Sequence, residues 1–275
     1  MTLSINPELP QKLSSTLDLR KLIHLPETCP DCGEGNWTFL FQDGEKVDIP
    51  RECACRRTLR EKHEKAMLEM EQKSKQERIQ QLFESSMLSP RFRTNTFDSF
   101  ETFKRHNDSV TFAFGTAQRY AKNFNSVRSK PQNGIIFTGT TGVGKTHLAA
   151  AIANHLLNQG IPVVFGTMAD FLQRIKDGFN GDDTDTMKIL QTVDLLVIDD
   201  LGKENHSKWV TEQVFTIINS RYANNLPTVI TTEFTAKNLR DMFIPAVVSR
   251  FTESYYPIKI TADDYRPQIL KGERK

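Results

Sequence analysis

The chain has no uninterrupted apolar run of the roughly 18–20 residues needed to cross a bilayer. Its longest candidate, 148–157, is broken by Asn154 and His155. The first twelve residues carry no basic stretch ahead of an apolar one, so no signal peptide is expected. These two absences point to a cytoplasmic protein with no membrane partner. Net charge is also missing, because 36 Lys and Arg against 34 Asp and Glu leave a formal +2. That excludes a protein that coats duplex DNA by its overall field, and any nucleic-acid contact must come from a local patch. Cysteine is scarce, with four in 275 residues, and all four fall between positions 29 and 55. Internal repeats and low-complexity tracts are absent. What remains, 38% hydrophobic and 25% charged residues, suits one full core plus a smaller module.

Residues 1–26 hold Pro7, Pro10 and Pro26 around a short helix expected over 11–23. A turn-rich stretch carrying every cysteine follows. The segment 56–84 is dense in Lys, Arg, Glu and Gln and free of Gly and Pro, which reads as a solvated helix. Its apolar positions are too sparse for a heptad seam. Phe92, Phe97, Phe100 and Phe103 crowd the segment after Pro90, and an amphipathic helix is expected over 107–123. From there strands expected over 134–138, 162–166, 194–198, 228–232 and 256–260 alternate with helices over 145–158, 168–179, 207–224, 236–242 and 246–253. Apolar strands alternating with helices indicate a mostly parallel sheet covered on both faces.

Gly139, Thr140, Thr141, Gly142, Val143, Gly144, Lys145 and Thr146 match the G-x-x-x-x-G-K-[ST] loop. A chance match occurs in on the order of one chain in a hundred of this length, so the flanks decide. Ile135, Ile136 and Phe137 supply an apolar strand before the loop, and the helix opening at His147 follows it. Glycines there let backbone N–H groups turn toward phosphates, and the helix N-terminus adds partial positive charge. Lys145 is expected at the β/γ oxygens of ATP, with the Thr146 hydroxyl on Mg²⁺. The strand Leu195-Leu196-Val197-Ile198 ends in Asp199 and Asp200, at the edge where open α/β sheets bind ligands. Asp199 is expected to hold Mg²⁺ and Asp200 to polarise the attacking water.

Cys29 and Cys32 form a C-x-x-C-G knuckle, and Cys53 and Cys55 form a C-x-C pair about twenty residues on. Four thiolates with no other donor type nearby favour Zn²⁺ in a closed structural site. Disulfides and an iron–sulfur site are the alternatives, the first disfavoured by a reducing compartment. Between the pairs, Trp37, Phe39, Leu40 and Phe41 suggest an apolar strand.

The order of these motifs, and the phrase VDLLVIDDLG over 193–202, resemble the AAA+ helicase loaders of the DnaC/DnaI type and the related IstB transposition ATPases. The similarity covers roughly Pro90 to Pro267. It implies a sensor residue after the 228–232 strand, where this chain has Glu233 although the family more often has Asn; neighbouring Thr232 is the fallback. It implies an arginine finger at Arg250, acting on the ATP of a neighbouring subunit, with Arg221 a weaker candidate. About fifteen residues follow the last strand, too few for an α-helical lid with its second sensor arginine, while Arg266 matches a C-terminal family phrase. The resemblance also implies single-stranded DNA contacts at Phe179, Ser207, Lys208 and Trp209, self-association, and a hexameric replicative helicase of the DnaB/DnaC type docked on the N-terminal module.

The resulting expectation is an α/β protein with a P-loop AAA+ core, a parallel five-stranded sheet flanked by helices, and no full lid domain. A zinc-binding module (1–56), a charged helical linker (57–90), the ATPase domain (91–267) and a tail (268–275) make up the chain. The expected activity is ATP hydrolysis in the service of helicase loading. A transposition helper ATPase and a nucleotide-switch adaptor with little turnover are the alternatives.

Overall fold

A computed structural model describes residues 27–35, 37–42, 45–50, 52–100, 107–178, 186–204 and 207–267, with 37–42 and 45–50 described by their backbone. The expected 11–23 helix, Phe103 and Phe179 lie outside the described residues. The chain divides into two compact units, 1–74 and 75–275.

In the first unit, β1 (Trp37–Gln42) and β2 (Glu45–Pro50) form an antiparallel hairpin. The second strand, with charges at Glu45, Lys46 and Asp48, has no apolar run to announce it in the sequence. The division between units falls inside α1 (Ala54–Ser85), a 32-residue helix with no buried residue. Leu59, Met67, Leu68 and Met70 are exposed along it. Local pairs such as Arg60 with Glu64 at 3.0 Å help support it.

The second unit is a five-stranded parallel sheet in the order β4-β5-β6-β3-β7: β3 (Gly134–Gly139), β4 (Val163–Thr167), β5 (Leu195–Asp199), β6 (Thr228–Thr232) and β7 (Tyr255–Ile260). Alternate strand residues enter two apolar clusters, one on each face. Ile135, Phe137, Leu195, Val197 and Val229 face α2 (Asp108–Lys122) and α4 (Lys145–Asn158). Ile136, Leu196, Ile198 and Ile230 face α5 (Met168–Gly178), α7 (Lys208–Ala223), α8 (Ala236–Met242) and α9 (Pro245–Ser254). A four-residue α3 (Phe124–Val127) follows α2. Burial on both faces explains why these strands read as apolar runs without alternation. Expected and observed bounds differ by a residue at several ends, as at β7 and α9. The short α6 (Thr186–Thr192) went unanticipated, its seven residues being too few to display a helical period.

The aromatic crowding after Pro90 now has a cause. Leu88 and Phe100 are buried in the first cluster, with Phe92 and Phe97 packed against it. Ser86 accepts a 2.8 Å bond from the Phe165 amide beside β4. Among the described residues, Arg221 is the largest fully buried side chain. It donates to Thr228 Oγ1, Leu190 O and Val193 O at 2.9 Å each, and to Pro227 O at 2.6 Å. Burial lowers its pKa to about 10. A guanidinium committed to four internal acceptors is structural, which corrects its reading as a candidate for a neighbour's ATP.

Arg221→Ala strips partners from several buried acceptors at once. It should cost about 3 kcal/mol of stability, read as a lowered urea midpoint for the 75–275 unit.

Candidate functional site

A cavity of about 750 Å³ opens at the C-terminal edge of the sheet. Its floor is the glycine loop between β3 and α4. Gly142 and Gly144 sit at φ 77° and 100°, in the left-handed region that side chains disfavour. Gly144 is the N-cap of α4, so the first amides of that helix open toward the cavity. Thr141, Gly142, Gly144, Lys145, Thr146 and His147 line it. Val143 instead turns its side chain into the core. The carbonyls of Gly139 and Thr140 each hold the Lys145 ammonium at 2.8 Å. These are neutral acceptors, which phosphate oxygens can replace with stronger charge-assisted bonds.

Asp199 ends β5 behind the loop, 5% exposed. Its Oδ1 accepts from the Thr146 hydroxyl at 2.9 Å and from the Thr231 hydroxyl at 2.5 Å. Burial raises its pKa, opposed by those two hydroxyls. Burial likewise lowers the pKa of Lys145, with the Glu233 and Asp200 charges pulling the other way. Asp200 adopts φ 53°, and its amide donates to Thr231 Oγ1 at 2.9 Å. This left-handed residue turns the chain so that Lys203 returns to the site. Lys203 Nζ lies 3.0 Å from Asp200 Oδ2 and 2.8 Å from Glu233 Oε1. Thr141 Oγ1 donates to the same Glu233 oxygen at 2.7 Å. The Lys203 bond, then the Thr141 bond, hold the Glu233 carboxyl below its ordinary range. Burial alone would lower the Lys203 ammonium, but its bonds to Glu233 and Asp200 raise it. Thr232, the fallback sensor, is buried and donates to Leu201 O at 2.7 Å; its neighbour Thr231 is the hydroxyl that reaches Asp199.

Two further walls come from distant segments of the chain. Asn154 of α4 fixes one by donating to Phe92 O at 2.9 Å and Asn95 O at 2.7 Å. His147 Nε2 lies 3.0 Å from Thr96 O and 3.2 Å from Ser99 Oγ on the same segment. The segment after β7 forms the other wall. Thr140 Oγ1 donates to Ala262 O at 3.4 Å, and the Tyr265 amide donates to Gly142 O at 3.2 Å. A Cβ at Gly142 would lie 1.7 Å from Asp264 Oδ1. Tyr265 and Arg266 line the cavity, so an arginine of this segment reaches it.

The remaining sequence candidates lie elsewhere. Arg250 is half-buried outside this cavity, donating to Asn219 Oδ1 and Ala246 O at 2.9 Å each, with Tyr222 beneath it at 5.0 Å. Ser207 caps α7. Lys208 is exposed and lies 4.0 Å from Glu212. Trp209 packs partly against the second core cluster, with Lys176 Nζ 4.9 Å above its ring.

The first unit gathers its four cysteines. Their sulfurs all lie within 4.8 Å of one another, with contacts at 3.2 Å (Cys53–Cys55), 3.4 Å (Cys29–Cys55) and 3.5 Å (Cys32–Cys55). Those separations exceed an S–S bond of about 2.05 Å. They approach the edge of about 3.8 Å that a tetrahedron with metal–sulfur bonds of about 2.3 Å requires. The knuckle is closed by the Gly33 amide on Cys29 O at 2.8 Å and the Cys29 amide on Glu34 O at 2.7 Å. Backbone N–H groups at Asp31 and Cys32 lower the Cys29 thiol to about 6, whereas crowding by Cys53, Cys29 and Cys32 pushes the Cys55 thiol up. Four sulfurs this close shed their protons together only around a cation, and the donor set fits one. No helix of the described residues is long and apolar enough to cross a membrane.

Comparison with known proteins points to ATP-binding proteins. The family described as IstB-like ATP binding protein matches residues 59–269. The replicative helicase loader DnaC of Escherichia coli (strain K12) is 29% identical over 209 residues, covering 74% of this chain and 82% of that one. Among solved structures, the DnaC helicase loader matches at 30% identity and a TM-score of 0.55, over 62% of this chain and 99% of that chain. DnaI matches at 25% identity and a TM-score of 0.53, over 64% of this chain and 95% of that chain.

Gly142→Ala forces a side chain into a left-handed backbone and onto Asp264. Titration with a fluorescent nucleotide should show affinity falling about tenfold or more, and adding Asp264→Ala should recover only part of it.

Proposed function

The chain belongs to the family of IstB-like ATP binding proteins, and we propose that it is an ATP-hydrolysing loader that places a replicative DNA helicase on single-stranded DNA. The observation that carries the ATPase reading is the Thr146–Asp199 contact, 2.9 Å across the junction of the glycine loop and the acidic strand end. The loader reading draws on the likeness to DnaC. That likeness, with the cysteine module outside the matched family region, favours loading over a transposition partnership.

Mg²⁺ fits at Thr146 and Asp199, where it would neutralise charge between the outer phosphates of ATP. Loop amides and Lys145 hold the phosphates. Asp200 orients the attacking water and accepts its proton, and Glu233 stands opposite as the sensor. Arg250 lies outside its own chain's cavity, so it acts in trans, on the ATP of a second copy in an assembly. A guanidinium suits this because it spreads over transition-state charge. Zinc fits the Cys29, Cys32, Cys53 and Cys55 site and stabilises the 1–56 module, which docks on the helicase. Ser207, Lys208 and Trp209, with Phe179, form the DNA track, Trp209 offering a stacking face. The protein works in the cytoplasm.

Measurements on the full chain test this. Lys145→Ala should lower ATP turnover about a hundredfold or more, and mixing Arg250→Ala protein with Lys145→Ala protein should restore part of the activity each lacks alone. Full-length protein used as bait should recover the cell's hexameric DNA helicase, whereas recovery of a transposase in its place would overturn the loader reading. Metal analysis should find one zinc per chain, and chelation should release it while unfolding the 1–74 unit and leaving the 75–275 unit's unfolding midpoint in place.

A further inference from the structure

At the end of the cavity where Lys145 and Asp200 converge, Glu233 adds a second accessible carboxylate. Lys203 is in contact with both acids, at 3.0 Å and 2.8 Å. We propose that Lys203 is a positioning residue of the nucleotide site: by bridging Asp200 and Glu233 it cancels one of their two charges and so admits the terminal phosphate of a triphosphate. This rests on the ATP-binding reading above.

The lysine is delivered by a built turn. Leu201 donates its amide to Thr231 O at 2.9 Å and accepts from Thr232 Oγ1 at 2.7 Å, pinning the 200–203 turn to β6. Gly202, at φ 100°, sits where a Cβ would meet the Phe234 ring at 2.7 Å. The Lys203 amide closes the turn on Asp200 O at 3.4 Å. Glu233 is fixed from the opposite side by Thr141 of the glycine loop. The bridge therefore spans the acidic strand end and, through Glu233, the phosphate loop. Its partners are between 31% and 46% exposed, and ion pairs at such exposure contribute little to folding. A bound polyphosphate changes the balance. Without Lys203, two carboxylates face the incoming negative charge; with it, the trio carries a single net charge. A diphosphate, one phosphate shorter, brings less negative charge to the trio and should feel the difference less.

The test is competition of ADP and a non-hydrolysable ATP analogue against a fluorescent ADP analogue, with Mg²⁺ and full-length protein. Lys203→Met keeps the aliphatic stem and removes the charge. It should weaken the triphosphate about tenfold and ADP by less than about threefold. Lys203→Met with Glu233→Gln restores the wild-type net charge and should return triphosphate affinity to within about threefold of wild type, as should Lys203→Arg alone. An unchanged triphosphate-to-diphosphate ratio in Lys203→Met, or a double variant as weak as the single one, overturns the proposal. Wild-type protein that binds neither nucleotide overturns the ATP-site reading and this inference together.

Discussion

The Asp199 carboxylate, drawn between the hydroxyls of Thr146 and Thr231, is the interaction on which the second unit turns. A carboxylate at the end of a fully buried strand is costly, because burial disfavours its charge. Two hydroxyls from different elements, the first turn of α4 and the end of β6, offset that cost and fix three pieces of chain relative to one another. The apolar layers are arranged to allow it. Ala149, Ala150, Ala151 and Ala153 are all buried, so α4 can lie close to the sheet and present Thr146 at the strand edge. Thr231 also takes the Asp200 amide, which sets the sharp turn that brings Lys203 back.

What was legible in the sequence was whatever is contiguous. The glycine loop, the acidic strand end and the flanking apolar runs each carry their meaning within ten residues. Their pairing at one site followed from the general rule that parallel sheets bind at their C-terminal edge. The five strands of the parallel sheet were legible for the same reason, and the cysteines as two close pairs, whereas the charged β2 was not. Lys203, Thr231 and the wall-forming roles of 91–100 and of the segment after β7 were not, because they depend on contacts between distant parts of the chain; Arg266 was singled out only through a family phrase. Nothing in the spacing of Thr231 and Thr232 says which hydroxyl faces Asp199; the pleat decides it. Arg221 shows the opposite error. Its residue type suggested chemistry, but four internal acceptors absorb the guanidinium.

The two units are held together by different physics. The 75–275 unit buries large apolar clusters on both faces of a sheet. The described part of 1–74 has a two-stranded hairpin, buried Cys29 and Cys53, and the exposed beginning of a helix. Such a hairpin is marginal alone, so a cation bound by four sulfurs would supply order that apolar burial does not.

The segment that follows β7 carries a consequence for biosynthesis. Residues 261–267 are the last described part of the chain, yet they rest on Gly142, more than a hundred positions earlier. A ribosome has therefore made the phosphate loop, both acidic strand-end residues and most of the sheet before that wall exists. Nascent chains that end short of Tyr265 hold a glycine loop braced by Glu233 and Asp199 but not by this wall. The glycine loop gains its Ala262 and Tyr265 contacts only after residues 261–267 have left the ribosome and folded back on it.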